Sequence, residues 1–202
     1  MKPTYQGFEA KEDSTSFLKL PPAGVYIGQI MAVRVVDTDG MKTFRDWLEM
    51  MIEITEGEYK GRFTDVYNDQ KKRFGEENTK YRGTFRIAIP TGKPDEEDWV
   101  RRSFEGNLWC VEQSNSGYHW DWDENKLTGK KIGLNIRKRL YTYEGKDGET
   151  IEVARFETVD DVKTGKAKPA KERDQRKKDE EKKFDTSTYT DVTGSTALPN
   201  WG

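Results

Sequence analysis

The chain has 202 residues, of which 36% are charged and 33% hydrophobic, which fits one domain of ordinary size with a polar appendage. A single cysteine, Cys110, excludes an intrachain disulfide framework, and no apolar run reaches the length of a membrane span. Residues 1–162 carry 25 Lys/Arg against 30 Asp/Glu, whereas residues 163–183 carry 10 against 5. We therefore expect a cytoplasmic protein whose main body can bind a polyanion only at a local basic face.

The first predicted strands follow a weakly patterned arm. Residues 1–20 are expected to be this arm, and residues 21–162 the folded domain. A turn at 21–24 leads into a predicted strand at 25–36, where Gly28 indicates a bulge or bend. A second strand is predicted at 42–55, with Trp47 on the face opposite its alternating apolar residues.

The middle of the chain predicts one more strand and a helix. Alternation favours a third strand at 62–68, followed by a long polar loop at 69–80. Residues 81–90 predict a short extra strand, which we interpret as an insertion. Acidic residues at 95–98 are typical of a helix start, and the turn at 114–117 should end that helix.

A long hairpin is the most strongly patterned element, over residues 130–159 with a turn at 144–148. One face of its first arm is apolar, with Ile132, Leu134 and Ile136. The opposite face carries Asn135, Arg137, Arg139 and Tyr141, and Tyr143 follows. Such a face can offer guanidinium groups to phosphates and phenol rings to bases.

The composition changes after the hairpin. Residues 163–202 predict a disordered charged linker, with a helix possible near 172–183, and a C-terminal tip. Within the tip, Leu198, Pro199 and Trp201 are the candidates for binding a protein partner. The element order before the linker is three strands, a helical region and a closing hairpin. This order predicts a mainly β, OB-fold-like five-stranded barrel.

Catalytic chemistry finds little support in the sequence. There is one histidine, His119, and one cysteine, so the usual zinc ligand sets cannot be assembled. No glycine-rich phosphate-binding motif is present. We expect no enzyme activity, no metal and no cofactor.

Binding chemistry is better supported, because aromatic residues repeatedly lie within basic segments. These segments are 62–67, 71–74, 80–86 and 137–143. Stacking of bases on aromatic rings contributes about 1–3 kcal/mol per base and tolerates any sequence. The predicted nucleic-acid-binding residues are Trp47, Arg62, Tyr67, Lys72, Arg73, Arg137, Arg139, Tyr141 and Tyr143.

Four short motifs carry a resemblance to a known family. They are L-P-P-A-G-V-Y at 20–26, I-T-E-G-E-Y-K-G-R at 54–62, L-T-G-K-K at 127–131 and V-A-R-F at 153–156. The region from about residue 20 to 162 resembles single-stranded-DNA-binding proteins encoded by bacteriophages of Gram-positive hosts. The resemblance implies an OB-fold that coats single strands during phage DNA replication or recombination in the host cytoplasm. A tail that recruits replication or recombination proteins would fit the same plan.

Two other classes of function remain open from the residues alone. The acidic balance of the main body favours a protein-interaction module, such as a recombinase accessory or phage assembly factor, that does not bind nucleic acid. A metal-dependent nuclease is the third class, and no carboxylate constellation supports it. The oligomeric state, the number of nucleotides per site and the choice between DNA and RNA stay open.

Overall fold

A computed structural model of the chain describes residues 18–36, 46–93 and 98–176. Within these residues the chain is mainly β, as predicted, with six strands and three helices. The strands are β1 Gly24–Val36, β2 Trp47–Ile54, β3 Thr84–Ala88, β4 Lys131–Tyr143, β5 Lys146–Glu157 and β6 Arg173–Asp174. The helices are α1 Arg62–Phe74, α2 Asp98–Ser114 and α3 Val159–Lys163, with a 3-10 turn at Glu124–Leu127 before β4.

All six strands form one sheet in the order β3-β2-β1-β4-β5, and β6 pairs with β4. Neighbours along the main path are antiparallel, whereas β6 runs parallel to β4, so the sheet is mixed. No ladder joins the two edge strands, β3 and β5, in the described part of the chain. The predicted closed barrel is therefore not found. The sheet nevertheless curls, because the rings of Phe85 in β3 and Phe156 in β5 lie 4.8 Å apart, centroid to centroid.

The helix α2 covers the outer edge of β5 and explains why β3 does not pair there. The backbone N–H of Phe156 donates to the Asn107 side chain at 2.7 Å, and the Cys110 thiol donates to the Phe156 carbonyl at 3.6 Å. Both side chains come from α2. Because backbone groups at a sheet edge need partners, these bonds occupy an edge that another strand would otherwise use.

The core lies between the concave side of the sheet and α2. Residues that alternate along β2 and β4 supply one side of it, since successive strand residues point to opposite faces. Helically spaced residues of α2 supply the other side. The contributors from these three elements are Leu48, Met50, Ile52, Ile54, Ile132, Leu134, Ile136, Val100, Phe104, Leu108 and Val111.

The region predicted as a third strand and a loop is instead the helix α1, so that prediction is wrong. Phe63 and Val66 are the buried residues of this helix, and a spacing of three residues places them on one helical face. The helix begins where Glu53 of β2 reaches its first turn. The Glu53 carboxylate accepts the backbone N–H groups of Phe63 at 3.1 Å and Thr64 at 2.7 Å. A carboxylate from a distant strand thus satisfies backbone N–H groups that have no partner within the helix, and no local sequence pattern predicts such a cap.

The segment interpreted as an insertion contains the true third strand of the sheet, β3. It pairs with β2 over Thr84–Ala88. The predicted irregularity in β1 is present but lies between Ile30 and Ala32, not at Gly28. Gly28 is needed for another reason, because a Cβ there would collide with Leu134 and with the Glu53 carbonyl.

The predicted hairpin is confirmed as β4 and β5, and its turn is shorter than expected. Glu144 and Gly145 form the reversal with φ values of 50° and 74°, which suits a two-residue hairpin turn. Asp147 and Gly148 already belong to β5. α2 ends at Ser114, as predicted from the polar turn that follows it.

The folded body extends beyond residue 162. After α3, residues 164–176 run along β4 as a segment that we call the strap, which includes β6. The buried side chain of Asn135 holds it, donating to the Lys168 carbonyl and accepting the Ala170 N–H, both at 2.8 Å. The strap thus belongs to the body, not to the disordered linker predicted from residue 163. The predicted tip residues Leu198, Pro199 and Trp201 lie outside the described residues.

Candidate nucleic-acid interface

A groove of about 640 Å³ runs between the two edge strands, β3 and β5, beside the start of α2. We call it the basic groove, because six Lys or Arg residues and one carboxylate line it among the residues that the structure describes. Its charged and aromatic lining residues are Lys80, Arg82, Arg86, Arg137, Arg139, Arg173, Glu152, Tyr81, Phe85 and Trp99. A surface with this ratio of charges attracts an anion even though the body as a whole is acidic.

The β3 side of the groove follows from strand alternation. Thr84 and Arg86 are exposed, whereas Phe85 and Ile87 between and beyond them are buried. Arg82 is also exposed and makes no ion pair within the described residues. Gly83 next to it must be small, because a Cβ would collide with the Ile52 carbonyl. The chain therefore passes close to β2 here and leaves Arg82 facing solvent.

The β5 side is organised by one carboxylate. Glu152 accepts from Arg137 Nη2 at 2.6 Å, from Arg139 Nη1 at 3.4 Å and from Arg173 Nη1 at 3.4 Å. Arg137 and Arg139 come from β4 and Arg173 comes from the strap. Three guanidinium groups around one carboxylate leave an excess of two positive charges. Charge-assisted bonds also fix the positions of the guanidinium groups before any ligand arrives.

Arg139 retains an unused donor within this cluster. Its Nε is buried and has no hydrogen-bond acceptor among the described residues. Its guanidinium carbon lies 5.8 Å from the ring centroid of Tyr141, within the range of a cation–π contact. A buried donor without an acceptor costs free energy.

A second carboxylate holds the arginine on the opposite wall. Glu49 of β2 bonds to Arg86 of β3 and to Arg34 of β1, which are its direct cross-strand neighbours. Burial opposes the ionisation of Glu49. The hydrogen bonds from Arg86 and Arg34 outweigh that effect, so the pKa of Glu49 lies below its ordinary value. Glu49 is therefore ionised at neutral pH and orients Arg86.

Two aromatic residues in the groove have different roles. Trp99 lies in the first turn of α2 and is 48% exposed. Tyr81 is half-buried, and its hydroxyl donates to the Ile52 carbonyl at 2.9 Å. Burial raises the pKa of Tyr81, so the hydroxyl stays protonated and keeps this bond. Tyr81 therefore acts as a structural residue, and Trp99 is the exposed ring that a base can stack on.

The structure brings three of the predicted binding residues to the groove or to its border. Arg137 and Arg139 line it, and Tyr141 contacts Arg139 at its end. Tyr141 also packs across Gly148, where a Cβ would meet the ring at 2.8 Å. Tyr143 is exposed further along the hairpin and does not line the groove.

The remaining predicted binding residues lie elsewhere. Trp47 is half-buried on the outer face of β2, beside Glu49. The other four belong to α1 and not to the predicted strand, namely Arg62, Tyr67, Lys72 and Arg73. Of these, Arg73 forms an ion pair with Asp69 at 3.0 Å, and Arg62 donates to the Lys19 carbonyl at 3.4 Å. None of the five lines the basic groove.

Sequence reasoning missed Arg82, Arg86, Trp99 and Arg173 as members of one site. The segment 80–86 was a usable signal, because aromatic and basic residues lie together in it as they do in the segments that contain the predicted binding residues. Trp99 and Arg173 had no such signal, since the first lies at a helix start and the second was assigned to the linker.

The sequence matches no model of a known protein family, and no curated protein matches it. None of the helices in the described part of the chain is both long and apolar enough to span a membrane. The groove is therefore interpreted from its own chemistry.

Proposed function

We propose that this protein binds single-stranded DNA without sequence preference, and that the basic groove is the binding site. The observation that carries the proposal is the concentration, among the described residues, of six cations against one carboxylate beside Trp99, on a body whose residues 1–176 carry 31 Lys/Arg against 32 Asp/Glu. A polyanion is the ligand that suits such a patch on an otherwise acidic protein.

The groove offers the two interactions that a single strand needs. The guanidinium groups on both walls, with Arg82 and Arg86 on one side and Arg137 and Arg139 on the other, can each meet a phosphate. Trp99 between them can stack on one base, which is possible only where bases are not already stacked in a duplex. None of these contacts reads a base edge, so the binding would not depend on sequence.

The architecture supports an OB-type origin for the sheet. The strand order β3-β2-β1-β4-β5, with a helix before β4, agrees with the element order of a small five-stranded barrel of that type. In this protein α2 takes the edge of β5, and the opening between β3 and β5 becomes the groove. A role in phage DNA replication or recombination remains a prediction of the sequence resemblance.

The test removes two cations from one wall of the groove. Binding of oligo(dT) is followed by tryptophan fluorescence at several NaCl concentrations, for the natural chain and for an Arg137→Ala/Arg139→Ala variant. Each phosphate contact on a single strand contributes about −0.7 to the slope of log K against log salt. We expect weaker binding by the variant and a slope that is shallower by about 1.4.

The matched control removes the same charge from α1. Lys72→Ala/Arg73→Ala should leave the affinity and the slope unchanged, because neither side chain lines the groove. An unchanged slope for the β4 variant, or a loss confined to the α1 variant, would contradict the proposed site. Parallel titrations with oligo(U) decide whether the groove prefers DNA or RNA.

A protein-interaction module is the second candidate function. The acidic balance of residues 1–162 favours it, because a net negative charge repels a nucleic acid. This candidate predicts that oligo(dT) causes no fluorescence change and that a labelled oligonucleotide stays unbound even at low salt.

A further inference from the structure

A second concave surface lies on the other flank of α2, away from the basic groove. It has a volume of about 770 Å³, and we call it the aromatic cleft. Four aromatic side chains line it, namely Phe104 and Trp109 of α2 and Trp120 and Trp122 of the connection to β4. Its charged lining residues are nearly balanced in sign, unlike those of the groove: Lys93, Arg101, Asp98, Glu105 and Glu112.

Trp122 is held outward in an unusual backbone conformation. Its φ of 67° lies in the left-handed region, which a bulky residue rarely adopts, and its side chain is 66% exposed. The ring stacks on Phe104 at 5.7 Å with an interplanar angle of 22°. Strained residues of this kind persist where function uses them. Because the ring packs on Phe104 with one face and the side chain is still largely exposed, its other face is open to a ligand.

The cleft continues into a small apolar pocket of about 100 Å³. Val35, Leu48 and Ile89 line this pocket together with the rings of Phe104, Trp120 and Trp122. A branched aliphatic side chain entering from the cleft would meet only apolar atoms there, apart from Glu124 at its edge.

Trp120 is fixed in position but incompletely bonded. Its backbone N–H donates to Glu112 Oε1 at 2.8 Å, and the same carboxylate oxygen lies 2.9 Å from His119 Nδ1. The indole Nε1 of Trp120 has no acceptor among the described residues. Extended proline-containing peptides bind in grooves lined by aromatic rings.

The ligand chemistry is therefore an extended, uncharged peptide with a proline and a neighbouring aliphatic side chain. One stretch of this chain has that composition, A-L-P-N-W-G at residues 197–202. It contains no charged residue, and Pro199 is the only proline after Pro169. Leu198 suits the apolar pocket, and Pro199 suits the faces of Trp109 and Trp122.

We propose that residues 197–202 dock into the aromatic cleft of the same molecule, with Leu198 in the apolar pocket and Pro199 against Trp122. The tether is long enough, because the 21 residues 177–197 between the strap and Leu198 can reach at most about 70 Å when fully extended. The body has a radius of gyration of about 15 Å. Tethering at this range supplies an effective concentration in the millimolar range, so a weak peptide contact suffices. This site is independent of the basic groove.

The experiment uses the full chain labelled with 5-fluorotryptophan, which reports six indole rings by ¹⁹F NMR. Resonances are assigned with single Trp→Phe variants. In Leu198→Ser/Pro199→Ala we expect the resonances of Trp109, Trp120 and Trp122 to shift, while those of Trp47 and Trp99 stay in place. A synthetic peptide of residues 193–202 with the same label gives the position of Trp201 in an undocked segment.

A second variant approaches the same contact from the cleft. Trp122→Gly removes the ring but tolerates the positive φ, so the backbone keeps its conformation without strain. We expect the Trp201 resonance in this variant to move to its position in the free peptide, at every protein concentration. Unchanged cleft resonances in the first variant, an unchanged Trp201 resonance in the second, or a shift that depends on protein concentration would each overturn the proposal.

Discussion

The two flanks of α2 are built from the same helix but have opposite chemistry. Trp99 and Ser103 turn towards the basic groove, whereas Arg101, Glu105 and Trp109 turn towards the aromatic cleft. Among the described residues the groove has six cations and one carboxylate, and ion pairs hold four of the cations, Arg86, Arg137, Arg139 and Arg173, in place. The cleft has nearly balanced charges, and stacked rings hold its side chains. One helix thus separates a surface suited to a polyanion from a surface suited to an apolar peptide.

The flanks also differ in how the sequence assembles them. The cleft draws two of its four rings from one short segment, Trp120 and Trp122, and the other two from one helix. The groove collects its cations from β3 and the segment just before it, from β4 and from the strap, which are far apart in the chain. Because its residues come from distant parts of the chain, the groove depends on long-range anchors such as Glu49, Glu152 and Asn135. The groove should therefore be the easier of the two to disrupt from a distance.

The largest effect is expected from the exposed tryptophan of the groove. Trp99→Ala removes a stacking platform that contributes about 1–3 kcal/mol per base, so affinity for oligo(dT) should fall about 5- to 150-fold. Fluorescence anisotropy of a labelled oligonucleotide measures this without relying on the tryptophan signal. Trp109→Ala is the matched control, since Trp109 lies on the same helix and is 54% exposed, but on the cleft side. Equal losses in the two variants would contradict the division between the flanks.

A smaller effect is expected from the anchor of the strap. Asn135→Ala removes the bonds to the Lys168 carbonyl and the Ala170 N–H, so the strap should loosen around Ala170 and hold Arg173, which β6 still pairs with β4, less firmly in the groove. We expect the salt slope of oligo(dT) binding to become shallower by about 0.7, the contribution of one phosphate contact. Hydrogen exchange at the Ala170 amide should accelerate in the same variant.

The Arg173→Ala variant separates the two effects expected of Asn135→Ala, which are the shallower salt slope and the faster exchange at the Ala170 amide. It should reproduce the change in salt slope while exchange at Ala170 stays slow, because Asn135 still holds the strap. Slow exchange at Ala170 in Asn135→Ala would show that the side chain does not anchor the strap.

The smallest effect at neutral pH is expected from the carboxylate behind the groove wall. Because the pKa of folded Glu49 lies below its ordinary value of 4.5, its ion pairs contribute stability that is complete above that value. The contribution is lost as pH falls through the lower, folded-state pKa. Glu49→Gln should therefore show a weaker loss of unfolding free energy below about pH 4.5 than the natural chain. Denaturant titrations at a series of acidic pH values measure the unfolding free energy of both chains.

The matched control for the pH series is Glu56→Gln, which removes a carboxylate from an exposed turn. That variant should follow the natural chain at every pH. If the Glu49→Gln variant also followed the natural chain at every pH, Glu49 would not be an organising residue of the groove.

The sheet was predictable wherever apolar residues recur at every second position of a strand. The alternation of Ile132, Leu134 and Ile136 with polar residues defines β4 because packing imposes a period of two. A similar alternation led to the wrong prediction of a strand at α1. Phe63 and Val66 also fit one helical face, and the helix start is capped by Glu53 of β2. A helix cap supplied by a distant strand leaves no local pattern to read.

The site was predictable only in part for a similar reason. Arg137 and Arg139 were found because strand alternation alone places them on an exposed face. Arg173 was not found, since a charge-dense segment gives no sign that a buried Asn135 will bind its backbone. The edge of β5 was also unpredictable, because Asn107 reads as an ordinary polar residue of a helix until its bond to Phe156 is seen.

The most direct test of the central claim is the ¹⁹F spectrum of the 5-fluorotryptophan protein during titration with oligo(dT). If single-stranded DNA occupies the basic groove, the Trp99 resonance shifts and saturates, and those of Trp109 and Trp122 on the other flank of α2 stay in place. Shifts at Trp109 and Trp122 with an unchanged Trp99 resonance would contradict the account and place the nucleic acid in the cleft.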